Sequence, residues 1–207
     1  TMMEAIRILK KVYPNPKRTI IIGNWGSEEQ GLNGSQAFAE DHPEIIKGIR
    51  AGWNQDNGTG RVTSLSAGPV TNATDNLISW LYAIPSSISG WVRLGATASP
   101  VGGSGSTDNW TFQCRGAPVH GMGALGWDYG NTTWHTNRDT YDKVVIEDLK
   151  NNATLVAMLT YMADKDPNLQ APQLISVNPA TQAALTYPMC GTNNGSKAIR
   201  KSTDSPR

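Results

Sequence analysis

An apolar run rich in β-branched residues, RTIIIGNW at residues 18–25, is the feature that most constrains the fold. Such a run is typical of a strand buried on both faces, which occurs in parallel sheets covered by helices. Further strands are predicted at residues 48–56, 89–95 and 117–127. Helices are predicted at residues 2–12, 70–85 and 146–166, with a short helix ending near Pro43. This alternation predicts an α/β fold with a mostly parallel sheet.

Composition excludes two classes of partner. The chain has 207 residues, a net charge of +1 and only 17% charged residues, and no long basic block precedes its last residues. Nucleic acid is therefore not an expected partner. No apolar run approaches the roughly 20 residues of a membrane span, so no membrane association is expected. Cys114 and Cys190 could pair, but two cysteines do not decide the compartment.

The two ends of the chain differ in character. The first residues, TMMEAIRILKKVY, read as a helix without a preceding strand or capping turn. We expect them to come from the later part of a longer polypeptide, although a native start after processing is the alternative. Beyond Pro167 the periodic pattern is lost, which predicts a domain over residues 1–167 and a peripheral or disordered tail over residues 168–207.

Acidic residues follow two of the predicted strands. Glu28 and Glu29 come soon after the first apolar run, and Asp56 ends the second strand. Because polar residues past the carboxyl ends of such strands form sites, these acids are expected to converge. With His135 they make a mixed nitrogen and oxygen set that suits zinc at a hydrolytic site. One acid of the pair would bind metal and its neighbour would take a proton from metal-bound water.

A simpler interpretation of these residues stays open. Adjacent acids at the start of a helix are favoured by the helix dipole, and a single histidine in a polar loop is usually only solvated. His42 and His120 are less suitable ligands, because the first reads as a helix end and the second as a strand or pocket residue.

Three segments together resemble the co-catalytic zinc exopeptidases: RTIIIGNWGSEEQGLNGSQAF, NQDNGTGRV and WHTNRDTYDKV. That family includes secreted bacterial aminopeptidases, glutamate carboxypeptidase II and carboxypeptidase Q, whose branch is the most similar. The resemblance runs from Thr1 to about Asp166. It implies a three-layer α/β/α fold with a mixed, mostly parallel sheet, a peptide substrate and a secreted or periplasmic protein. The reaction implied is hydrolysis of a terminal peptide bond by metal-activated water.

The resemblance also implies roles for individual residues. Glu28 matches the general base, and Glu29 matches a ligand of one zinc ion. Asp56 matches a ligand of the other zinc ion, and His135 matches the last ligand of the ion that Glu29 binds. These assignments follow from the motifs in which the residues stand.

Two residues match positions that contact substrate. Trp134 stands where many aminopeptidases carry a tyrosine that helps to stabilise the tetrahedral intermediate. An indole N–H can also donate a hydrogen bond, but the replacement leaves that role open. Asp108, in the loop GGSGSTDNWTF, matches an aspartate near the substrate pocket.

Other parts of the family pattern are missing. A His-x-Asp motif, a metal-bridging aspartate and the N-terminal strands of the sheet are not found in these residues. The resemblance therefore implies that residues 1–167 are the C-terminal portion of a zinc peptidase domain and inactive alone. Two alternatives remain: a non-catalytic binding module of the same fold, and a single-zinc acyl-transfer enzyme of the glutaminyl cyclase type.

Overall fold

The computed structural model describes residues 1–56, 59–95, 98–103, 105 and 107–191. The helices of this part are α1 Met2–Val12, α2 Asn33–Asp41, α3 Pro43–Gly48, α4 Thr71–Ala83, α5 Ser86–Ser89, α6 Asn109–Gln113, α7 Tyr129–Thr132 and α8 Ile146–Lys165. A short 3-10 turn covers Tyr141–Lys143. The strands are β1 Gly52–Gln55, β2 Val62–Leu65, β3 Arg93–Leu94 and β4 Val119–Ala124.

The described strands form one mixed sheet in the order β1-β4-β2-β3. β1 runs parallel to β4, with Gly52 opposite Val119, and β2 runs parallel to β3. β2 and β4 are antiparallel, so the sheet contains both kinds of pairing. The predicted α/β fold with a mixed sheet is confirmed.

Helices cover both faces of this sheet. Side chains alternate along β4, as they do in any strand. Val119 packs with apolar residues of α2, α3 and α6. Met122 faces the other way and packs with apolar residues of α1, α4 and α8. The sheet therefore lies between two helical layers.

Two short elements of the structure were not predicted. The strand β2 was not anticipated, because VTSL is a short and partly polar segment with no long apolar run. The short helix α2 ends at Asp41, close to Pro43 as predicted, but α3 was missed. Pro43 occupies the first position of α3, where its missing N–H costs nothing.

The largest departure concerns the run at residues 18–25. The prediction of a sheet strand is wrong here, because the structure assigns none of these residues to a strand. Among the described residues, residues 19–25 form no backbone hydrogen bond to another backbone group, and Ile21 remains 55% exposed. The sequence has the composition of a buried strand, but no strand of the described residues pairs with it.

A buried carboxylate fixes the start of this run. Asp164, near the end of α8, accepts hydrogen bonds from the Tyr13 hydroxyl at 2.7 Å and from the backbone N–H groups of Lys17 at 2.8 Å and Arg18 at 2.7 Å. Burial acts to raise the pKa of Asp164, but these hydrogen bonds and the Arg18 charge outweigh it and lower the pKa. The carboxylate thus holds the chain after α1 against α8.

A buried histidine lies in the centre of the sheet. His120 is 1% exposed, and its ring stacks on that of Trp53 with centroids 5.6 Å apart. Its Nδ1–H donates a hydrogen bond to the Ser66 carbonyl oxygen at 2.7 Å. Burial lowers the pKa of His120 to about 4, although the bond to Ser66 acts in the opposite direction. The ring is therefore neutral and structural at pH 7.

The first part of the predicted tail contacts the domain. Cys190 forms a disulfide with Cys114, and bridge pairs join Leu174 to Val70 and Cys190 to Gly103. Residues 192–207 lie outside the described residues, so the predicted disorder stays a prediction. In the part of the chain that is described, no helix is long and apolar enough to cross a membrane.

We expect Asp164→Asn to lower the free energy of unfolding by about 2–3 kcal/mol, because an amide cannot accept all three hydrogen bonds as a carboxylate does. Chemical denaturation at pH 7 measures this change. Asp75→Asn, on the exposed side of α4, is the control and should change the stability by less than about 0.5 kcal/mol. Equal effects of the two substitutions would contradict the structural role of Asp164.

We also expect His120 to make the fold sensitive to acid. Because the pKa is about 4 in the folded chain and near 6.5 when unfolded, the unfolded state binds the proton first. The unfolding free energy should therefore fall as pH drops from 6.5 toward 4, by up to about 1.4 kcal/mol per pH unit. Denaturation curves of wild type and His120→Gln isolate this contribution. Parallel pH dependences of the two proteins would refute it.

Candidate metal centre

The turn that carries the two adjacent acids has an unusual backbone. Ser27 and Leu32 both adopt positive φ angles, of 57° and 60°, which non-glycine residues rarely do. The Glu28 carbonyl oxygen accepts hydrogen bonds from the backbone N–H groups of Gly31 at 2.9 Å and Leu32 at 2.8 Å. Leu32 is 2% exposed and packs in a small buried cluster. The burial of Leu32 holds the strained turn in place, which fixes the backbone positions of Glu28 and Glu29.

One predicted pair of ligands meets directly. The Nε2 atom of His135 lies 2.8 Å from Oε1 of Glu29. His135 has a φ of 56°, and its ring stacks on the indole of Trp134 with centroids 4.0 Å apart. The fold therefore brings a carboxylate from the first turn beside a histidine from the loop after α7. Both side chains remain about half exposed, which leaves them accessible.

The charges of the other predicted acids act on Glu28. Burial raises the pKa of Glu28, and the charges of Asp56, Glu29 and Asp108 raise it further, while His135 acts to lower it. Four carboxylates from three segments thus repel one another, with Glu28 acted on by the other three and Asp108 by Asp56. The convergence of these acids into one site stays a prediction, and the charges that act on Glu28 support it.

Asp108 is the most buried of these acids. It lies directly before α6 and is 9% exposed. Its Oδ1 atom is buried without a hydrogen-bond partner among the described residues. Burial raises the pKa of Asp108; the nearby Ser35 hydroxyl acts to lower it, and the charge of Asp56 raises it. A buried carboxylate oxygen without a donor is costly, and a cation or a substrate donor would relieve that cost.

Two residues of the site were not anticipated. The Tyr129 hydroxyl donates a hydrogen bond to Oδ2 of Asp139 at 2.5 Å. That bond is the main reason why the pKa of Tyr129 rises to about 12, and burial and the charges of Asp139 and Asp56 add to it. The phenol is therefore a neutral donor near the acids. In the sequence, only the position of Tyr129 and Asp139 on either side of Trp134 and His135 could have indicated that they belong to the site. Tyrosine and aspartate are common in polar loops, so that indication is weak.

The arrangement meets part of the requirements of a zinc site. Carboxylate and imidazole donors suit zinc, and a cluster of acids with one orphaned oxygen suits a cation. Yet within the described residues no group of three or more His, Cys, Asp or Glu side chains is placed to hold a metal ion. Glu29 and His135 supply a pair of donors, whereas Asp56 acts on the cluster through its charge. The ligand roles of Glu29, Asp56 and His135 therefore stay predictions, as do the roles of Glu28, Trp134 and Asp108.

Comparison with known proteins identifies relatives of this chain. The sequence model of peptidase family M28 matches residues 1–160. No curated protein is similar enough in sequence to match.

Solved structures with a similar fold include several peptidases. The M28 peptidase precursor from Shewanella amazonensis has a TM-score of 0.69 and 24% identity, over 83% of this chain and 37% of that one. The aminopeptidase LapA of Legionella pneumophila has a TM-score of 0.60 and 20% identity, over 80% and 44%. BSAP, a zinc aminopeptidase from Bacillus subtilis, has a TM-score of 0.58 and 22% identity, over 84% and 42%. The chain thus spans less than half the length of these proteins.

We expect Glu28→Gln to stabilise the metal-free chain at pH 7, because it removes one of four mutually repelling carboxylates. The gain should be a few tenths to about 1 kcal/mol, and it should shrink as salt screens the charges. Denaturation in EDTA at low and high salt measures it. Glu40→Gln is the matched control: the charge of Glu40 acts favourably on Arg115, so this change should not stabilise. A loss of stability on Glu28→Gln would contradict the acidic cluster.

Proposed function

The chain belongs to peptidase family M28, and we propose that it supplies the base and part of the metal site of a zinc-dependent exopeptidase that hydrolyses terminal peptide bonds. The observation that carries this proposal is the contact between Glu29 and His135 beside the acids around Glu28. It unites residues that the family resemblance assigns to one site.

Zinc, when bound, would lower the pKa of a water molecule and polarise the substrate carbonyl. Glu29 and His135 would hold one ion, and Asp56 would bind a second. Glu28, whose pKa is raised by burial and by its acidic neighbours, is the group that takes the proton from the attacking water. A carboxylate with a raised pKa is a stronger base than an ordinary one, which suits this task.

Peptide substrates are expected to lie between the loop of Trp134 and the segment of Asp108. The exposed indole of Trp134 offers a flat apolar surface and an N–H donor. Asp108 offers a buried oxygen that has no donor within the described part of the chain, and the N–H of a peptide or a terminal amine would satisfy it. The disulfide between Cys114 and Cys190 supports a secreted or periplasmic location, because disulfides persist in oxidising compartments.

The 207 residues are proposed to be inactive by themselves. They supply three of the ligands that the family resemblance assigns, and the described residues bring only Glu29 and His135 into contact. A site with so few donors does not fix two metal ions. The same observation favours the second candidate function, a binding module that keeps the fold without metals, and zinc affinity separates the two.

We expect the chain to bind zinc, and His135→Ala to weaken that binding at least about tenfold, because the mutation removes a direct donor. Glu29→Gln should weaken it similarly, while Glu28→Gln should leave it nearly unchanged. Isothermal titration with zinc measures the affinities. His42→Ala is the matched control, since His42 is also half exposed and beside a glutamate, Glu44.

The outcomes separate the hypotheses. Equal affinities of wild type and His135→Ala would refute the ligand assignment. A chain that binds no zinc would favour the binding module. Hydrolysis of aminoacyl nitroanilides by the 207 residues would contradict their proposed inactivity, and any hydrolysis that survives Glu28→Gln would contradict the base.

A further inference from the structure

The segment after α8 runs back across the domain. It covers residues 168–191, which we call the strap, and it lies outside the part that the family model matches, residues 1–160. The strap first pairs with the start of α4, where the backbone N–H of Thr71 donates a hydrogen bond to the Gln173 carbonyl oxygen at 2.8 Å. It is therefore an addition to the matched domain that is nevertheless packed on it.

The end of the strap is fastened beside α6. The backbone N–H of Met189 donates to the Cys114 carbonyl oxygen at 2.7 Å, and that of Gly191 donates to the Gly103 carbonyl oxygen at 2.6 Å. Between these two hydrogen bonds, Cys190 forms the disulfide with Cys114. The end of the strap is thus joined covalently to the residue that directly follows α6.

The disulfide is part of the apolar cluster that supports the acidic turn. This cluster consists of Leu32, Trp110 and Cys114, with Val101 and Cys190 packed against them. Leu32 is the buried residue of the turn that carries Glu28 and Glu29, and Trp110 lies two residues after Asp108. Both cysteines are therefore among the few side chains that hold these two acid-bearing segments against each other.

The two sulfur atoms have different surroundings. Cys114 is buried, with 0% exposure, and its Sγ atom lies 3.7 Å from Nη1 of Arg115. The same Nη1 donates a hydrogen bond to the Thr111 carbonyl oxygen at 2.7 Å, which holds the guanidinium in place. Cys190 is only partly buried. An attacking thiol therefore reaches Cys190 more easily, and the cation beside Cys114 stabilises a thiolate that leaves from there.

We propose that the disulfide between Cys114 and Cys190 is a redox latch, which a dithiol reductant opens in the folded chain and which sets how firmly the turn of Glu28 and Glu29 is held. One thiolate of the reductant bonds to Sγ of Cys190, and Cys114 leaves with the electron pair of the broken bond as a thiolate beside Arg115. The second thiol of the reductant then displaces Cys190. The reductant ends as a cyclic disulfide, and its two protons end on the two cysteines.

Reduction should loosen this region without unfolding the domain. The hydroxyl groups of Ser35 and Thr111 are hydrogen bonded at 2.9 Å, so α2 and α6 remain joined when the disulfide is open. The main core under α1, α4 and α8 contains neither cysteine. The expected effect is therefore confined to the end of the strap and to the turn that depends on Leu32.

Hydrogen exchange of the full chain, with and without dithiothreitol, tests the latch. Reduction should speed the exchange of the Leu32 and Met189 amides at least about tenfold, because local opening becomes easier. Amides of α8 are the folded reference and should not change. Cys190→Ser should show the fast exchange without reductant and should not respond to it. The measurements are made in EDTA, so they do not depend on zinc binding or on the proposed peptidase function.

The rate of reduction tests the part played by Arg115. Arg115→Gln should slow reduction by dithiothreitol at least about threefold, because the departing Cys114 thiolate loses its cation. Arg115→Lys keeps the charge and should retain most of the rate. Trapping of the free thiols with iodoacetamide, followed by mass spectrometry, measures these rates, and the α8 amides show whether each variant is folded.

Four results would overturn the latch or its parts. Equal exchange of Leu32 in the oxidised and reduced chains would leave the disulfide as a covalent tie without influence on the turn. Reduction only at the rate of global unfolding would show that the folded chain does not open. Loss of α8 protection on reduction would assign the disulfide to the stability of the whole domain. Equal reduction rates of wild type and Arg115→Gln would refute the role of the cation. The comparison of oxidised and reduced wild type decides even where Cys190→Ser does not fold.

Discussion

The carboxylate of Asp164 is the interaction on which the layout of this chain depends. It accepts hydrogen bonds from Tyr13, just after α1, and from the backbone of Lys17 and Arg18. Arg18 also donates to the carbonyl oxygens of Ala163 and Asp164. These bonds join residues almost 150 positions apart in the sequence. Without them, nothing in the described backbone ladder would hold residues 19–25 opposite β1, because that run has no strand neighbour.

The second constraint is electrostatic. Glu28, Glu29, Asp56 and Asp108 are brought together by a strained turn, a strand end and the start of a short helix. Their mutual repulsion costs stability in a metal-free chain, and the histidine partner of Glu29 offsets part of it. A local cost of this kind, in a fold that satisfies the buried Asp164 with three hydrogen bonds, is typical of a functional site.

Sequence patterns predicted the long elements, since periodic apolar residues identified α1 and α8. The expected convergence of the acids stays a prediction. It rests on two strand ends, but residues 18–25 are not a strand in the structure, whereas β1 does end before Asp56. The failures have physical reasons. β2 is four residues long and partly polar, so no periodicity reveals it. The contact of Tyr129 with Asp139 depends on how a polar loop folds back on itself. The run at residues 18–25 has the composition of a buried strand, but composition does not reveal whether a partner strand is present.

That last failure bears on the site as well. The run at residues 19–25 leads into the turn of Glu28, and β1 ends directly before Asp56. The two segments line opposite sides of one cleft of about 970 Å³, so they also support the segments that carry Glu28 and Asp56. Because no backbone ladder of the described residues joins them, the apolar layers on either side of the cleft define the distance between these supports.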